Sequence, residues 1–338
     1  MQIKKKIFTN KIILITGGTG SFGQHFIKTV LKNFAPKKVI IFSRDELKQY
    51  EMAEKLRKYK KKLRFFIGDI RDLPRLKTAM KDVDIVVHAA ALKQVETAEY
   101  NPFEVVKTNV MGTQNVIDAI YSSDVKIAIA LSTDKAAAPI NLYGATKLTA
   151  DKLFISANNY IPNKSFSVVR YGNVMMSRGS VIPSFEKQKI NGVINITDKD
   201  ITRFSLTLPE GVEFVIKCLS NMWGGELFVP KIPSYRILDL AKAVAPQCKI
   251  NFIGSRPGEK IHEDLVTNSD SLNTIEFKNY YIILSSTKNY EKTSIKDFIN
   301  KFDGHKGKIC DRNFSYNSLN NKDYLSIKEL KALIKNNS

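Results

Sequence analysis

Residues 12–23 read IILITGGTGSFG, an apolar, β-branched run that passes directly into a loop with glycines at 17, 18, 20 and 23. Such a run reads as a buried strand, and the amphipathic stretch after it as a helix. Gly18, Gly20 and Gly23 have GxGxxG spacing, and Gly17, Gly20 and Gly23 the tighter GxxGxxG spacing. At a strand-to-helix junction, positions without side chains let backbone amides approach a pyrophosphate at the positive helix terminus. A plain turn also uses glycines, so the placement after an opening strand is what marks a dinucleotide loop. Thr19, Ser21 and Phe22 are its remaining candidate members.

β-Branched runs recur at 39–43, 63–67, 85–89, 127–132 and 166–171, with helical patterns at 21–32, 45–59, 71–80, 102–122 and 142–158. This alternation predicts an α/β fold with a doubly wound parallel sheet. After Tyr171 the rhythm breaks, and turn signals at Arg178-Gly179, Gly224-Gly225 and Arg256-Pro257-Gly258 divide shorter elements. The expected organisation is a dinucleotide-binding domain over 1–172, with 205–230 returning to it through a helix at 209–219 and a strand at 226–229. Residues 173–204 and 231–338 are expected to form a smaller mixed α/β substrate domain and C-terminal extension. The polar stretch from Asn313 leaves its own order open.

Composition agrees with this reading: 338 residues with 43% apolar and 25% charged content suit a globular main domain with a smaller companion. Cys218, Cys248 and Cys310 lie far apart without metal-ligand spacing, which fits a reducing cytoplasm and no metal site. The lysine-rich start imitates a secretory signal, but the apolar run 12–15 is too short and enters a glycine loop. No apolar run reaches membrane-spanning length. The net charge of +20 resides largely in Lys4–Lys6, in KLRKYKKKLR from Lys55 to Arg64 and in the tail. No aromatic interleaving accompanies these runs, so we expect a solvated basic surface that also suits an anionic small substrate, with no nucleic-acid partner.

At the end of the second strand the chain reads Ser43, Arg44, Asp45, Glu46, where an enzyme preferring NAD usually places an acid on the ribose hydroxyls. A hydroxyl and a guanidinium there favour the 2'-phosphate of NADP over NAD. Arg44 as a surface charge and Asp45 as a helix cap is the simpler alternative, and both can hold together. Asp69 closes the third strand, followed by Ile70, and either meets the adenine or caps the next helix.

The stretch STDKAAAPINLYGATK, residues 132–147, concentrates reactive side chains where a buried strand should end. Tyr143 and Lys147 are spaced to share one helix face. A free phenol, with a pKa of roughly 10, is a poor base at neutral pH. A lysine cation and an oxidised nicotinamide beside it favour the phenolate. Thr133 can hydrogen-bond the same substrate oxygen, so the group reads as a hydride-transfer site at an alcohol carbon. A non-enzymatic alternative is a redox-sensing or polyanion-binding module that keeps its cofactor, against which the intact Thr133, Tyr143 and Lys147 argue.

GGTGSFG, HAAA, YGATK and RYGNV resemble the extended short-chain dehydrogenase/reductases acting on nucleotide sugars, whose core is a Rossmann sheet. SRDELKQ, FFIGDIRDL, HAAALKQV, AEYNPFEVVKTNV, LSTDKAA, NLYGATK, FVPKIPS and RPGEKIHE narrow the resemblance to the inverting UDP-N-acetylglucosamine 4,6-dehydratases, over nearly the whole chain. Members of that group make the first intermediate of pseudaminic acid, a flagellin-modifying sugar. The resemblance implies a lyase with NADP as cofactor, UDP-N-acetylglucosamine as substrate, and a homo-oligomer, dimer or hexamer. It further implies Lys135 as base at C5 and Asp134 as acid to the departing C6 hydroxyl, where retaining dehydratases carry Asp-Glu and epimerases lack the pair.

That assignment requires a neutral Lys135 for part of the cycle, through burial or nearby positive charge, and a proton on Asp134. The alternative is a salt-bridged pair that caps a loop. Matching positions place Ala89, Ala90, Ala91, Lys93 and Asn109 at the cofactor, with Lys93 also facing the substrate, and Asn173, Val181, Arg256 and Glu259 near the UDP. His88 and His262 are read as satisfied locally rather than catalytic. Departures from the family pattern are Met175-Met176 in place of a small residue, Ala138 for Asn, Gln94 for His and Glu96 for Pro.

Overall fold

The computed structural model describes residues 1–175, 180–285 and 295–337. Its centre is a sheet in which β1 (Ile12–Thr16), β2 (Lys38–Ser43), β3 (Leu63–Ile67), β4 (Ile85–His88), β5 (Ile127–Thr133) and β6 (Ser165–Tyr171) run parallel in the order β3-β2-β1-β4-β5-β6. Strands covered by helices on both faces need continuous apolar sequence, and the inner residues of β1, β4 and β5 are buried accordingly. The connections are α1 (Ser21–Asn33), α2 (Glu46–Lys55), α3 (Leu73–Ala79), a broken helical segment, and α7 (Leu142–Ser156). In that segment α4 (Val95–Tyr100) and α5 (Pro102–Val106) lead into a π-turn, Lys107–Met111, and then α6 (Gly112–Tyr121).

The order reverses between β1 and β4, so the crevice for a ligand opens at the carboxyl ends of these strands. Thr16, His88 and Thr133 all end there. His88 is fully occupied at this edge: Nδ1 pairs with Thr16 Oγ1 at 2.8 Å and Nε2 with Thr113 Oγ1 at 3.1 Å. Burial, reinforced by Lys147, pushes its pKa down to about 3, so it stays a neutral strut.

Beyond β6, the strand Glu226–Pro230 continues the sheet in parallel after the helix Leu208–Asn221, as expected of the returning segment. The expected boundary at 231–338 needs correction, because Tyr280–Leu284 pairs antiparallel with Glu226–Pro230, and Thr274–Glu276 and Lys308–Ile309 follow it in the same sheet. The apolar run YYIIL is buried along its length, and pairing it closes an otherwise open edge of the main sheet. The expected inclusion of residue 205 in the returning segment also shifts, since Thr202–Leu206 sits in a small sheet between Ser234–Arg236 and Asn173–Val174.

A second core lies in the smaller lobe, where Ile182, Phe185, Ile194, Tyr235 and Leu240 pack together. Leu330 of the C-terminal helix Ile327–Asn337 is fully buried in it. The tail is therefore ordered by tertiary contact rather than by its own composition: Tyr316 pairs with Val266, and its hydroxyl donates to the Ile232 carbonyl at 2.7 Å.

Candidate active site

The cofactor cradle is built by the loop between β1 and α1. Gly17 has φ +66°, and a Cβ there would meet Ala90 at 2.9 Å, so the first and fourth strand ends touch through a bare backbone. A Cβ on Gly23 would lie 2.5 Å from the Gly18 carbonyl, which is how closely α1 packs on its own loop. Gly20 caps α1 with no side-chain hydrogen bond, so first-turn amides, including that of Ser21, face the crevice. Gln24 Nε2 donates to the Thr19 carbonyl at 2.8 Å and holds the loop. The Phe22 ring stacks on Phe26 at 5.9 Å and packs rather than pointing into the loop. An unblocked helix terminus behind glycines fits a dinucleotide pyrophosphate.

At the adenosine end, Ser43 is buried with its hydroxyl accepting from Gln49 at 3.0 Å, while Arg44 is half exposed and reaches Asp69 at 3.6 Å. Asp45 caps α2 by accepting from the Lys48 amide. Burial alone would raise the Asp69 carboxyl, but hydrogen bonds from Arg71 hold it below its ordinary range, with a 2.7 Å ion pair. Asp69 is thus engaged by two arginines, and Ile70 packs in the core against Gly112.

The loop after β4 is held from both sides. The amides of Ala89 and Ala90 donate to Thr16 Oγ1 at 3.2 and 3.3 Å, leading to Ala91. Asn109, in the π-turn, accepts from the Leu92 amide at 2.8 Å and donates to the Leu92 carbonyl and to Thr146 Oγ1. Its side-chain amide thus ties the loop after β4 to α7 at the crevice wall. Burial lowers the Lys93 pKa below its ordinary value.

The reactive group forms where β5 ends. A single helical turn, Asp134–Ala136, follows Thr133, and α7 starts a few residues later with Asn141 capping through a 2.8 Å bond from the Gly144 amide. α7 lies so close that a Cβ on Gly144 would fall 2.1 Å from the Lys135 carbonyl. Asp134 is buried, and its Oδ1 accepts from Thr133 Oγ1 at 2.9 Å and from Lys135 Nζ at 3.0 Å. Its Oδ2 is buried without a protein hydrogen-bond partner. Lys135 reaches a second carboxylate, Glu263 Oε1, at 3.2 Å.

Without ligand, the surroundings of Lys135 favour its protonated form. Burial would lower the Lys135 pKa, but Asp134 and Glu263 outweigh it and raise it above the ordinary lysine value. Among the described residues the cation that opposes it is Arg203, itself paired to Glu259 at 3.5 Å and to Glu263 at 3.9 Å. Tyr143 is likewise favoured in its protonated form without ligand. Burial pushes its pKa up to about 12, opposed by Lys135 and by hydrogen bonding with Thr133. Lys147 shares the helix face, yet its Nζ donates to the Leu131 carbonyl at 2.7 Å, tying α7 to β5.

The smaller lobe closes over this group. Asn141 Nδ2 donates to the Gly258 carbonyl at 2.9 Å, and Lys260 Nζ to the Ala137 carbonyl at 2.7 Å. Asn173 points a buried, unpartnered Oδ1 from its short strand, and Val181 starts a helix behind Ser180. Arg256 is exposed, with an ion pair to Glu96 at 3.3 Å, and its amide donates to Glu259 Oε2 at 3.3 Å. Glu259 therefore braces Arg203 and the Arg256 loop. His262 pairs with Thr202 Oγ1 at 2.8 Å.

Ala138 adopts φ 43°, a left-handed conformation that Asn tolerates better, which explains the Asn expected there. Met175 is buried and accepts from Ser205 Oγ; Met176 and the Arg178-Gly179 turn lie outside the described residues. Sequence reasoning missed Glu263 and Arg203. Arg203 had a signal, a charge inside the strand-like run TRFSL, whereas Glu263 had none beyond its place in RPGEKIHE. Among the described residues there is no His, Cys, Asp or Glu cluster suited to a metal, and no helix long and apolar enough to cross a membrane.

The family described as polysaccharide biosynthesis protein matches residues 13–285. An inverting UDP-N-acetylglucosamine 4,6-dehydratase of Campylobacter jejuni is 53% identical, covering 97% of this chain and 98% of its own length. A UDP-glucose 4-epimerase of Rickettsia bellii is 45% identical, covering 82% of this chain and 84% of its own. The X-ray structure of Pen from Bacillus thuringiensis superposes with a TM-score of 0.87 at 39% identity, covering 97% and 98% of the two chains. The chain belongs to the polysaccharide biosynthesis protein family, the group of extended short-chain dehydrogenase/reductases in which the inverting UDP-N-acetylglucosamine 4,6-dehydratases fall.

Proposed function

We propose that this chain is an NADP-dependent lyase that converts UDP-N-acetylglucosamine to the UDP-4-keto-6-deoxy sugar with inversion at C5. The observation that carries the reading is the buried Asp134 paired with a partly buried Lys135 at the end of β5, on the turn against which α7 packs through Gly144, next to Tyr143. An epimerase needs only the group at C4; a dehydratase needs a further base and acid at C5 and C6.

The 17–23 loop would hold the dinucleotide pyrophosphate, and the bound nicotinamide would supply the hydride acceptor for C4 and the hydride for C6. Tyr143, with Thr133, draws the proton from the C4 hydroxyl; the Lys135 cation and the bound nicotinamide offset the burial that raises the phenol. Lys147 fixes α7 to the strand end and orients the nicotinamide ribose. The resulting C4 ketone acidifies C5–H.

Lys135 becomes a base by passing a proton to Asp134 over 3.0 Å, a move that leaves the net buried charge unchanged. The same hop loads Asp134 with the proton that the departing C6 hydroxyl requires. Lys93, Asn173, Val181 and Arg256 line the approach of the UDP, with Arg256 presenting a fork to a phosphate. Family resemblance supports a cytoplasmic homo-oligomer feeding a pseudaminic-acid type of flagellin glycosylation.

Incubation with the substrate and NADP in heavy water should yield a product lighter by one water and carrying deuterium at C5. Formation of the C4 epimer alone, at unchanged mass, would select the activity named for the Rickettsia relative. For the cofactor, Arg44 is the residue aimed at a 2'-phosphate. Arg44→Ala should weaken NADP about 10- to 100-fold by titration, with NAD changed by no more than about twofold. Equal weakening of both would place Arg44 outside the 2'-phosphate site.

A further inference from the structure

We propose that Glu263 is a positioning residue for the C5 step, holding Lys135 in place and stabilising the charge that develops on its Nζ as the proton arrives from the sugar. The inference rests on the dehydratase reading above. Its starting point is a shortage of counter-ions. While Asp134 holds the proton destined for the C6 oxygen it is neutral, so it cannot balance a lysine that is becoming an ammonium. The other carboxylate at that nitrogen is Glu263, with Oε1 at 3.2 Å.

The placement of Glu263 is constrained from behind. Its amide donates to Ser318 Oγ at 2.9 Å, its carbonyl accepts from the Ser318 amide at 2.8 Å, and Ser318 Oγ pairs with Thr202 Oγ1 at 2.7 Å. A segment close to the C terminus thus clamps an acid that serves the end of β5. The carboxylate is 2% exposed, and Oε2 is buried with no protein hydrogen-bond partner. Leaving a carboxylate so placed is costly unless a charge answers it.

The groups that face the pair are Asp134 and Tyr143 from the β5–α7 side, Arg203 and Tyr235 from the small sheet, and Lys260 from the Glu263 loop. Burial pushes the Glu263 carboxyl up, Lys135, Arg203 and Lys260 pull it down, and Asp134 pushes it up again, with a net rise. Arg203 keeps Glu263 compensated while Lys135 is neutral.

In the step itself, the Lys135 lone pair takes the C5 proton and the C5–H electron pair moves into the C4 carbonyl as an enolate. The enolate then expels the C6 oxygen, which leaves as water with the Asp134 proton, giving the C5–C6 alkene. Glu263 faces the new ammonium throughout, much as the aspartate of a Ser-His-Asp triad faces its imidazolium.

The test is Glu263→Gln in the full chain with NADP, measuring KM, kcat and deuterium incorporation at C5 across pH. KM should stay within about twofold, while kcat and C5 incorporation fall about 100-fold. The limb of the pH profile that reports Lys135 deprotonation should move to lower pH, because an anion that raises its proton affinity is gone. Glu263→Asp keeps the charge at shorter reach; it should recover part of the rate and return the limb toward its original position. If the Gln variant fails to fold, Glu263→Asp decides: reduced C5 incorporation at unchanged KM supports the role, and wild-type behaviour overturns it. A Gln variant with unaltered kcat and limb also overturns it, as does a rate loss with an unmoved limb that Asp does not recover. A wild-type enzyme that incorporates no deuterium at C5 instead brings down the dehydratase reading, and this inference with it.

Discussion

Lys135→Met should cut dehydration by about 100- to 10,000-fold, the range of a lost acid–base group, while the affinity for the dinucleotide stays within a few fold. The glycine loop proposed for the pyrophosphate follows β1, away from the β5 turn, whereas Asp134 and Glu263 both lose their shared cation. Removing one partner of a buried ion pair costs about 3–5 kcal/mol, because the opposing charge is left uncompensated. Glu263, already raised by burial, would rise further. A carboxyl whose folded pKa lies above its unfolded value destabilises the fold above that pKa, and the deficit disappears as pH falls through it. The melting-temperature gap between variant and wild type should therefore narrow from pH 8 toward pH 5. Wild-type turnover would remove Lys135 from the chemistry, and a gap that ignores pH would remove the charge explanation.

Gly144→Ala tests the packing that brings the two halves of the reactive group together. Helix propensity predicts stabilisation, by about 1 kcal/mol for Ala over Gly in a helix. Sterics predict the reverse, since the new methyl would lie 2.1 Å from the Lys135 carbonyl and 3.0 Å from Pro139 Cβ. Backbone cannot yield as a flexible side chain does, so overpacking, at about 1–3 kcal/mol, should prevail. Relief moves either α7 with Tyr143 or the turn with Lys135, and a displacement of about 1 Å at reacting groups costs about 100-fold in rate. We expect a lower melting temperature and a kcat reduced by about that factor. A variant as stable and as active as the wild type would mean that helix and turn are not in contact.

Local pattern made the parallel sheet legible. The runs at 12–16, 63–67, 127–132 and 166–171 form strands within a residue of their expected bounds, because buried parallel strands need uninterrupted apolar sequence. It marked the helix at 102–122, which is helical over 102–121, but failed to mark the π-turn around Asn109 within it. Asn109 bonds to Leu92 and Thr146, partners on other elements, and periodicity carries no record of them. It failed again at 274–284, where an expected substrate-domain segment closes the edge of the main sheet.

The amino-acid sequence by itself determined the glycine loop after the first strand, the alternation of strands and helices, and the presence of Asp134, Lys135, Tyr143 and Lys147 around the end of the fifth strand, since spacing along a strand, turn and helix sets these. Tertiary structure completed their charge states. Lys135 is raised by Asp134, its neighbour in sequence, and also by Glu263, which the smaller lobe and its C-terminal clamp bring in, while burial in the folded site raises the Tyr143 phenol. Proton affinity depends on which charges surround a group in space and how much water is excluded, and of these only the adjacent Asp134 is written beside Lys135 in the sequence.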